Sequence, residues 1–273
     1  MIRGFYTSAS GMIAQQRRQE MLTNNLANAN TPGYKADDAS LRQFPNMLIR
    51  AMGVDNRPLG KSHHVGELTT GVYLQERTLN FRQGDIHETN NNTDIALIQG
   101  RVPMNEETGR PSALFYTVEA PNGETRYTRN GNFTIDGQGM LTTGEGFYVL
   151  DIAGNRINVG NEDFRVDRQG NISNEFGDIT QLNVVLVEDP DQLVKEGSGL
   201  LRYEGELEIA AVFGNPDVAF QLQQGFIERS NVDASQTMTD MMTAFRAFEA
   251  NQKILQAYDQ SMEKTVNDIG RIG

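Results

Sequence analysis

The sequence predicts a mostly β central domain flanked by N- and C-terminal α-helices, and three observations carry that prediction. Glycine is concentrated in the middle: 22 of the 27 glycines fall between Gly53 and Gly225, whereas Phe226 to Ile269, 44 residues, holds neither glycine nor proline. Both residues interrupt helices for backbone reasons, so a breaker-free stretch rich in Ala, Met, Gln, Glu and Lys reads as one long helix. At about 1.5 Å per residue it would reach ~66 Å. The third observation is strand-like alternation in the middle, clearest at Gln181 to Val187, QLNVVLV, with Leu182, Val184 and Leu186 on one face and Val185 and Val187 on the other. Apolar residues on both faces mark a strand covered on both sides.

The C-terminal helix carries a seam. Ala234, Met238, Met241, Phe245, Phe248, Gln252, Leu255, Asp259, Met262, Val266 and Ile269 follow in alternating steps of four and three, and only Gln252 and Asp259 are polar. A 3.5-residue period describes a coiled-coil seam rather than the broad face of a globular helix. Ser230 and Asn231 are candidate caps at its start. The N-terminus repeats the pattern more weakly, with Ile2, Phe5, Ala9 and Met12 in step, then Met21, Leu22 and Leu26 after a polar turn. Helix is expected to about Asn28, where Thr31, Pro32 and Gly33 stop it. A buried seam residue returns about 1.5–3 kcal/mol, while ordering every residue costs about 1.5 kcal/mol. Only about a third of the positions lie on a seam, so the two helices need each other or neighbours.

Between the helices, residues 36–83 read as an extended connector with a short helix around Met47 to Met52, and residues 84–225 as a β-rich domain. Asn130-Gly131 predicts a two-residue hairpin turn, and Asp136-Gly137, Asp151 to Asn155 and Asp167 to Asn171 predict further turns.

Composition excludes several functions. Twenty-four Lys+Arg against 36 Asp+Glu give a net charge of −12, with no basic run, which disfavours nucleic acid and anionic membranes as partners. Cysteine is absent, removing disulfides, thiolate metal sites and Cys nucleophiles. No stretch approaches the roughly 20 apolar residues of a membrane span, and Met1 to Gln16 lacks the apolar core of a secretory signal. If the protein works outside the membrane, a route other than a cleaved signal is expected to export it.

Candidate chemistry is thin. His63 and His64 are adjacent and face opposite ways in an extended chain, so with His87 elsewhere they form no chelate. The glycines of Gly137 to Gly146 precede a strand-like Phe147 to Leu150 rather than a phosphate-binding helix. Asp136 to Gly139 lacks the spaced oxygens of a calcium loop. No serine sits in a nucleophile-elbow motif, and 36 acidic residues offer no reason to select two as a glycosidase pair. The expectation is therefore no enzyme, no metal and no cofactor.

Four segments in order resemble the flagellar rod and hook family. Leu26 to Lys35, LANANTPGYK, is similar to its signature turn, here Asn28, Asn30, Thr31, Pro32, Gly33 and Tyr34. Gln83 to Gly100, QGDIHETNNNTDIALIQG, resembles the lead-in to its β domain, and Arg126 to Leu150, RYTRNGNFTIDGQGMLTTGEGFYVL, its hairpin stretch. Gly225 to Asp233, GFIERSNVD, with Arg246 to Leu255, RAFEANQKIL, looks like its C-terminal helix. One departure stands out: where family members carry a Gly-flanked aromatic pair, Gly100 is followed by Arg101, Val102, Pro103 and Met104. Connector and length look closest to distal-rod-type proteins and their Gram-positive paralogues.

The resemblance implies terminal helices, residues 1–35 and 226–273, that pair as a coiled coil on assembly inside a tubular filament. It implies self-association, contact with other rod and hook subunits, transmission of torque to the hook, and passage unfolded through the flagellar type III export apparatus to the basal body outside the cytoplasmic membrane. An assembly scaffold or adaptor, and less so a rod-associated peptidoglycan hydrolase, are the alternatives.

Overall fold

The computed structural model describes residues 2–45, 47–51, 63–68, 71–105, 109–175, 177–205, 209 and 211–270; side chains are described for these except 2–3, 47–51, 63–68, 178 and 268–270. Among the described residues are two α-helices, α1 (Ile2–Ala27) and α2 (Ala234–Gly270), and a β-rich remainder. The chain divides into two compact units: a helical unit from residues 1–26, 37–78 and 234–273, and a β unit from residues 27–36 and 79–233.

The β unit is built on the strand Ala113–Glu119. It pairs antiparallel with Thr125–Thr128 (Thr117 opposite Tyr127), with Val184–Val187 (Phe115 opposite Val185) and with Tyr148–Val149. Alternation along this strand divides the interior. Leu114, Tyr116 and Val118 enter the main core with Ile95, Phe133, Leu141 and Leu182, while Ala113 and Phe115 enter a second cluster with Val185, Val187, Leu193 and Leu201. The facing strand obeys the same rule, with Leu182 and Val184 on the main core and Val185 and Val187 on the other side, as the alternation in QLNVVLV predicts. Tyr116 carries its polar tip inward, and its hydroxyl donates to the Ile95 carbonyl at 2.9 Å, so the buried phenol is satisfied. Burial pushes its ionisation well above the usual tyrosine range.

Three turns share one construction. At Asp136, Asp151 and Asp167 the carboxylate accepts the amide of the residue four positions on, Met140, Asn155 and Asn171. Position four of each is a glycine with φ between +80° and +88°: Gly139, Gly154 and Gly170. A side chain there would meet the left-handed penalty, which explains the Asp-x-x-Gly spacing. Asn130-Gly131 behaves differently. It closes no hairpin, because Thr125–Thr128 pairs with Ala113–Glu119 and Leu200–Tyr203, whereas Phe133–Ile135 pairs with Leu141–Thr143. Gly131 serves close approach instead: a Cβ there would lie 1.9 Å from the Ile95 carbonyl oxygen.

In the helical unit, α1 and α2 run antiparallel. Gly4 lies against Tyr258, Gly11 against Asn251, and the Thr23 hydroxyl approaches the Met241 sulfur at 3.7 Å, so numbers rise along one helix as they fall along the other. The connector is more regular than expected. Leu41–Gln43 pairs with Val72–Leu74, and Met47–Ala51 with His63–Leu68, forming a nested antiparallel ribbon. Residues 47–51 are thus strand, not helix, because the pairing partner overrides a short apolar run of mixed propensity. Residues 52–62, with Gly53 and Pro58, lie outside the described residues.

Helix α2 begins at Ala234 rather than Phe226 and runs 37 residues. Phe226–Glu228 is a strand paired with Ile86–Glu88, so freedom from glycine and proline permitted a helix there without requiring one.

Candidate functional site

The turn after α1 folds as its stop signals predict. The Thr31 amide donates to the Asn28 carbonyl at 3.1 Å, the Thr31 hydroxyl to Asn28 Oδ1 at 3.2 Å, and Gly33 adopts φ +67°. Pro32 ends the ladder and Gly33 supplies the left-handed exit. The turn is seated on the β unit. A Cβ on Gly33 would lie 2.5 Å from the Arg129 carbonyl and the Asn130 nitrogen, while its amide donates to the Glu228 carbonyl at 2.8 Å. Asn30 is exposed, and Tyr34 is half-buried beneath the Lys195 ammonium, 4.0 Å from its ring centroid. Lys195 Nζ also donates to the Lys35 carbonyl at 2.9 Å.

Beneath the turn lies a charged triad. Glu228 accepts from Lys35 Nζ at 2.6 Å and from Arg129 Nε at 2.7 Å, and the three side chains are 1 %, 5 % and 3 % exposed. Glu228 Oε1 also accepts the Gly84 amide at 2.9 Å. Arg129 spends its other donors on the Leu114 and Leu97 carbonyls at 2.6 and 3.0 Å, and Lys35 donates to the Arg82 carbonyl at 2.9 Å. Burial pulls the Lys35 ammonium down to about 8, with Glu228 opposing and Arg129 assisting. Burial works to raise the Glu228 carboxyl, but Arg129 and Lys35 outweigh it and hold it below its ordinary value. A buried charge of this kind is tolerated only because each member is paired and hydrogen-bonded.

Four sequence segments, separated by up to 193 residues, therefore meet on one carboxylate: the turn through Lys35, the lead-in through Gly84, the hairpin stretch through Arg129, and Glu228 itself. Glu228 was not singled out by pattern, since its partners are remote in sequence. Asn231, a candidate helix cap, has another task. Its side chain accepts the Ala36 amide at 2.8 Å and donates to the Asn80 and Arg82 carbonyls.

The seam residues fall into two groups on α2. The row turned toward α1 is Thr237, Met241, Ala244, Phe248, Asn251, Leu255, Tyr258, Met262 and Thr265, each buried or half-buried and spaced by fours and threes. Met241, Phe248, Leu255 and Met262 of the predicted seam lie on it. Met238, Phe245 and Val266 do not: they are 50 %, 52 % and 70 % exposed. On α1, Phe5, Ala9, Met12 and Leu26 are half-buried, whereas Ser8, Gly11, Ala14, Met21, Leu22 and Asn25 are buried. Asn25 was missed; it clamps the Asp37 backbone through two bonds, 2.8 and 2.9 Å. The side chains of Ile2 and Ile269 lie outside the described residues. An open cavity of about 360 Å³ in the helical unit is lined by Gln19, Thr23, Met241, Met242, Phe245 and Arg246.

Three family models match: "Flagella basal body rod protein" over residues 5–35, "Flagellar hook protein FlgE/F/G D1 domain" over 113–174, and "Flagellar basal body rod FlgEFG protein C-terminal" over 223–269. The flagellar hook-basal body complex protein FlhO of Bacillus subtilis (strain 168) is 43 % identical over 273 residues, all of both chains. The chain belongs to the flagellar basal-body rod and hook protein family. Other members of this family are similar over almost their whole length. The flagellar basal-body rod protein FlgG of Borreliella burgdorferi is 32 % identical over 96 % of this chain and 97 % of its own. The hook-basal body complex protein FlhP of Bacillus subtilis is 28 % identical with the same coverage. The geometry joins all three matched regions at the triad, Lys35 at the end of the first, Arg129 within the second and Glu228 near the start of the last.

Proposed function

We propose that this chain is a structural subunit of the bacterial flagellar basal-body rod, assembling through its terminal helices with copies of itself and with other rod and hook subunits. Family membership and the relatives named for the basal-body rod support the role and the location. The observation that carries assembly is the outer side of α2. Only Thr237 and Ala244 among its described residues are buried, while Met238, Met242, Phe245 and Val266 are 50–70 % exposed. Four large apolar residues along one flank of a helix are more than an isolated chain leaves in water without use. Neighbouring subunits would cover them, completing the ordering that α1 alone supports weakly.

The role is mechanical: the subunit transmits torque toward the hook and carries out no catalysis. Passage through the flagellar export apparatus before assembly belongs to the same reading, and no described helix is long and apolar enough to cross a membrane. The test is Phe245→Asp, which places a charge on the proposed assembly face while sparing the β unit. The strain should be non-motile, with the variant absent from purified basal bodies and its β unit folded. Normal motility with the variant incorporated would sink the assignment of this face.

A further inference from the structure

We infer that Glu228 is a late-arriving latch: the β unit stays open until this residue docks between Lys35 and Arg129, and then closes in one step. The strand Phe220–Gln224, which places Leu222 in the main core, pairs with Ile95–Gln99, and Phe226–Glu228 pairs with Ile86–Glu88. Both early strands therefore wait for partners more than a hundred residues downstream. By contrast, the hairpins at Asp136 and Asp167 and the pairing of Ala113–Glu119 with Thr125–Thr128 are local. Loop-closure entropy places local pairing first and the contacts from 228 to 35 and 129 last.

Electrostatics adds a second barrier to early closure. Without Glu228, seating the turn would bury the Lys35 ammonium and the Arg129 guanidinium together with no counter-ion, two like charges in a dry site. The Gly33 and Gly84 amides would also lose the Glu228 carbonyl and carboxylate that accept them. Closure before residue 228 is available is thus opposed by repulsion, by desolvation and by unmade hydrogen bonds. Once it arrives, Gly225, Arg229 and Asn231 engage Asp94, Asp85 and Ala36 within the same short segment, so docking is cooperative.

The test is pulse-labelling hydrogen exchange during refolding of the full-length protein from urea. The amides of Gly33, Gly84, Gly225 and Arg229 should gain protection together, in a phase at least tenfold slower than the amides of Ala113–Glu119. Glu228→Gln should leave the Ala113–Glu119 phase in place and abolish or further slow the second. Protection of both sets in one phase in the native sequence, or protection of Gly33 and Gly84 in Glu228→Gln at the native rate, would overturn the latch. If Glu228→Gln does not fold, the order of phases in the native sequence still decides. The measurement uses the isolated chain, so its failure is separable from failure of the Phe245→Asp motility test.

Discussion

The two units bury different things. The β unit closes over two apolar clusters and sets three charges inside them with their partners supplied. The helical unit spends its contacts sparingly: α2 buries only a threonine and an alanine among its described residues and meets α1 across Gly4 and Gly11. Small residues bring two backbones close but return little apolar burial. The first region is finished by its own chain; the second has surface in reserve.

The largest expected break in that contrast is Arg129→Met. It removes the guanidinium donors from the Leu97 and Leu114 carbonyls and one of the two cations that face Glu228 among the described residues, and should cost the β unit about 3–5 kcal/mol, read as a lower urea midpoint. Gly33→Ala comes next. Its φ of +67° and the Arg129 backbone 2.5 Å from the new Cβ predict a loss of about 1–3 kcal/mol from strain alone, with weaker protection of the Gly33-region amides.

The triad also predicts a pH signature. The folded Lys35 value of about 8 lies below its ordinary 10.5, so between those limits the unfolded chain binds more protons and stability from this group rises with pH. Urea midpoints of the native sequence relative to Lys35→Met should therefore climb from pH 8 to 10.5, and a flat difference would contradict the buried ammonium. Glu228 acts at the other end. Its depressed folded value contributes stability above the ordinary carboxylate range, lost as pH falls through that lower value. The smallest expected effect sharpens the comparison from the other side: Phe245→Asp should change β-unit stability by no more than about 0.5 kcal/mol, as exposed substitutions do.

Much of this was legible in the chain. The alternation of Leu182 to Val187, the Asp-x-x-Gly turns and the stop after Asn28 each follow from local backbone chemistry. The period of α2 was legible too, but its inward face was not. Met241, Phe248, Leu255 and Met262 belong to both the predicted seam and the observed one, and the intervening positions could fall on either side. The partner decides: Gly11 on α1 admits Asn251, and Gly4 admits Tyr258, where the predicted period runs through Gln252 and Asp259 instead. The start of α2 and the strand at Met47–Ala51 were misread because pairing with remote segments overrides local propensity. The triad was invisible for a related reason, since Glu228 lies 99 residues from Arg129 and 193 from Lys35 along the chain.

The contacts of Asn231 reach beyond folding. Its side chain, just before α2 begins, accepts the amide of Ala36, where the chain first leaves the β unit, and donates to the carbonyl of Asn80, where it has just returned. The main way in and the way out of the β unit are therefore neighbours, the arrangement in which one domain is spliced into another with the least disturbance. A lineage could enlarge, trim or exchange that module while leaving the flanking segments unchanged, so outer variety and inner constancy are inherited separately.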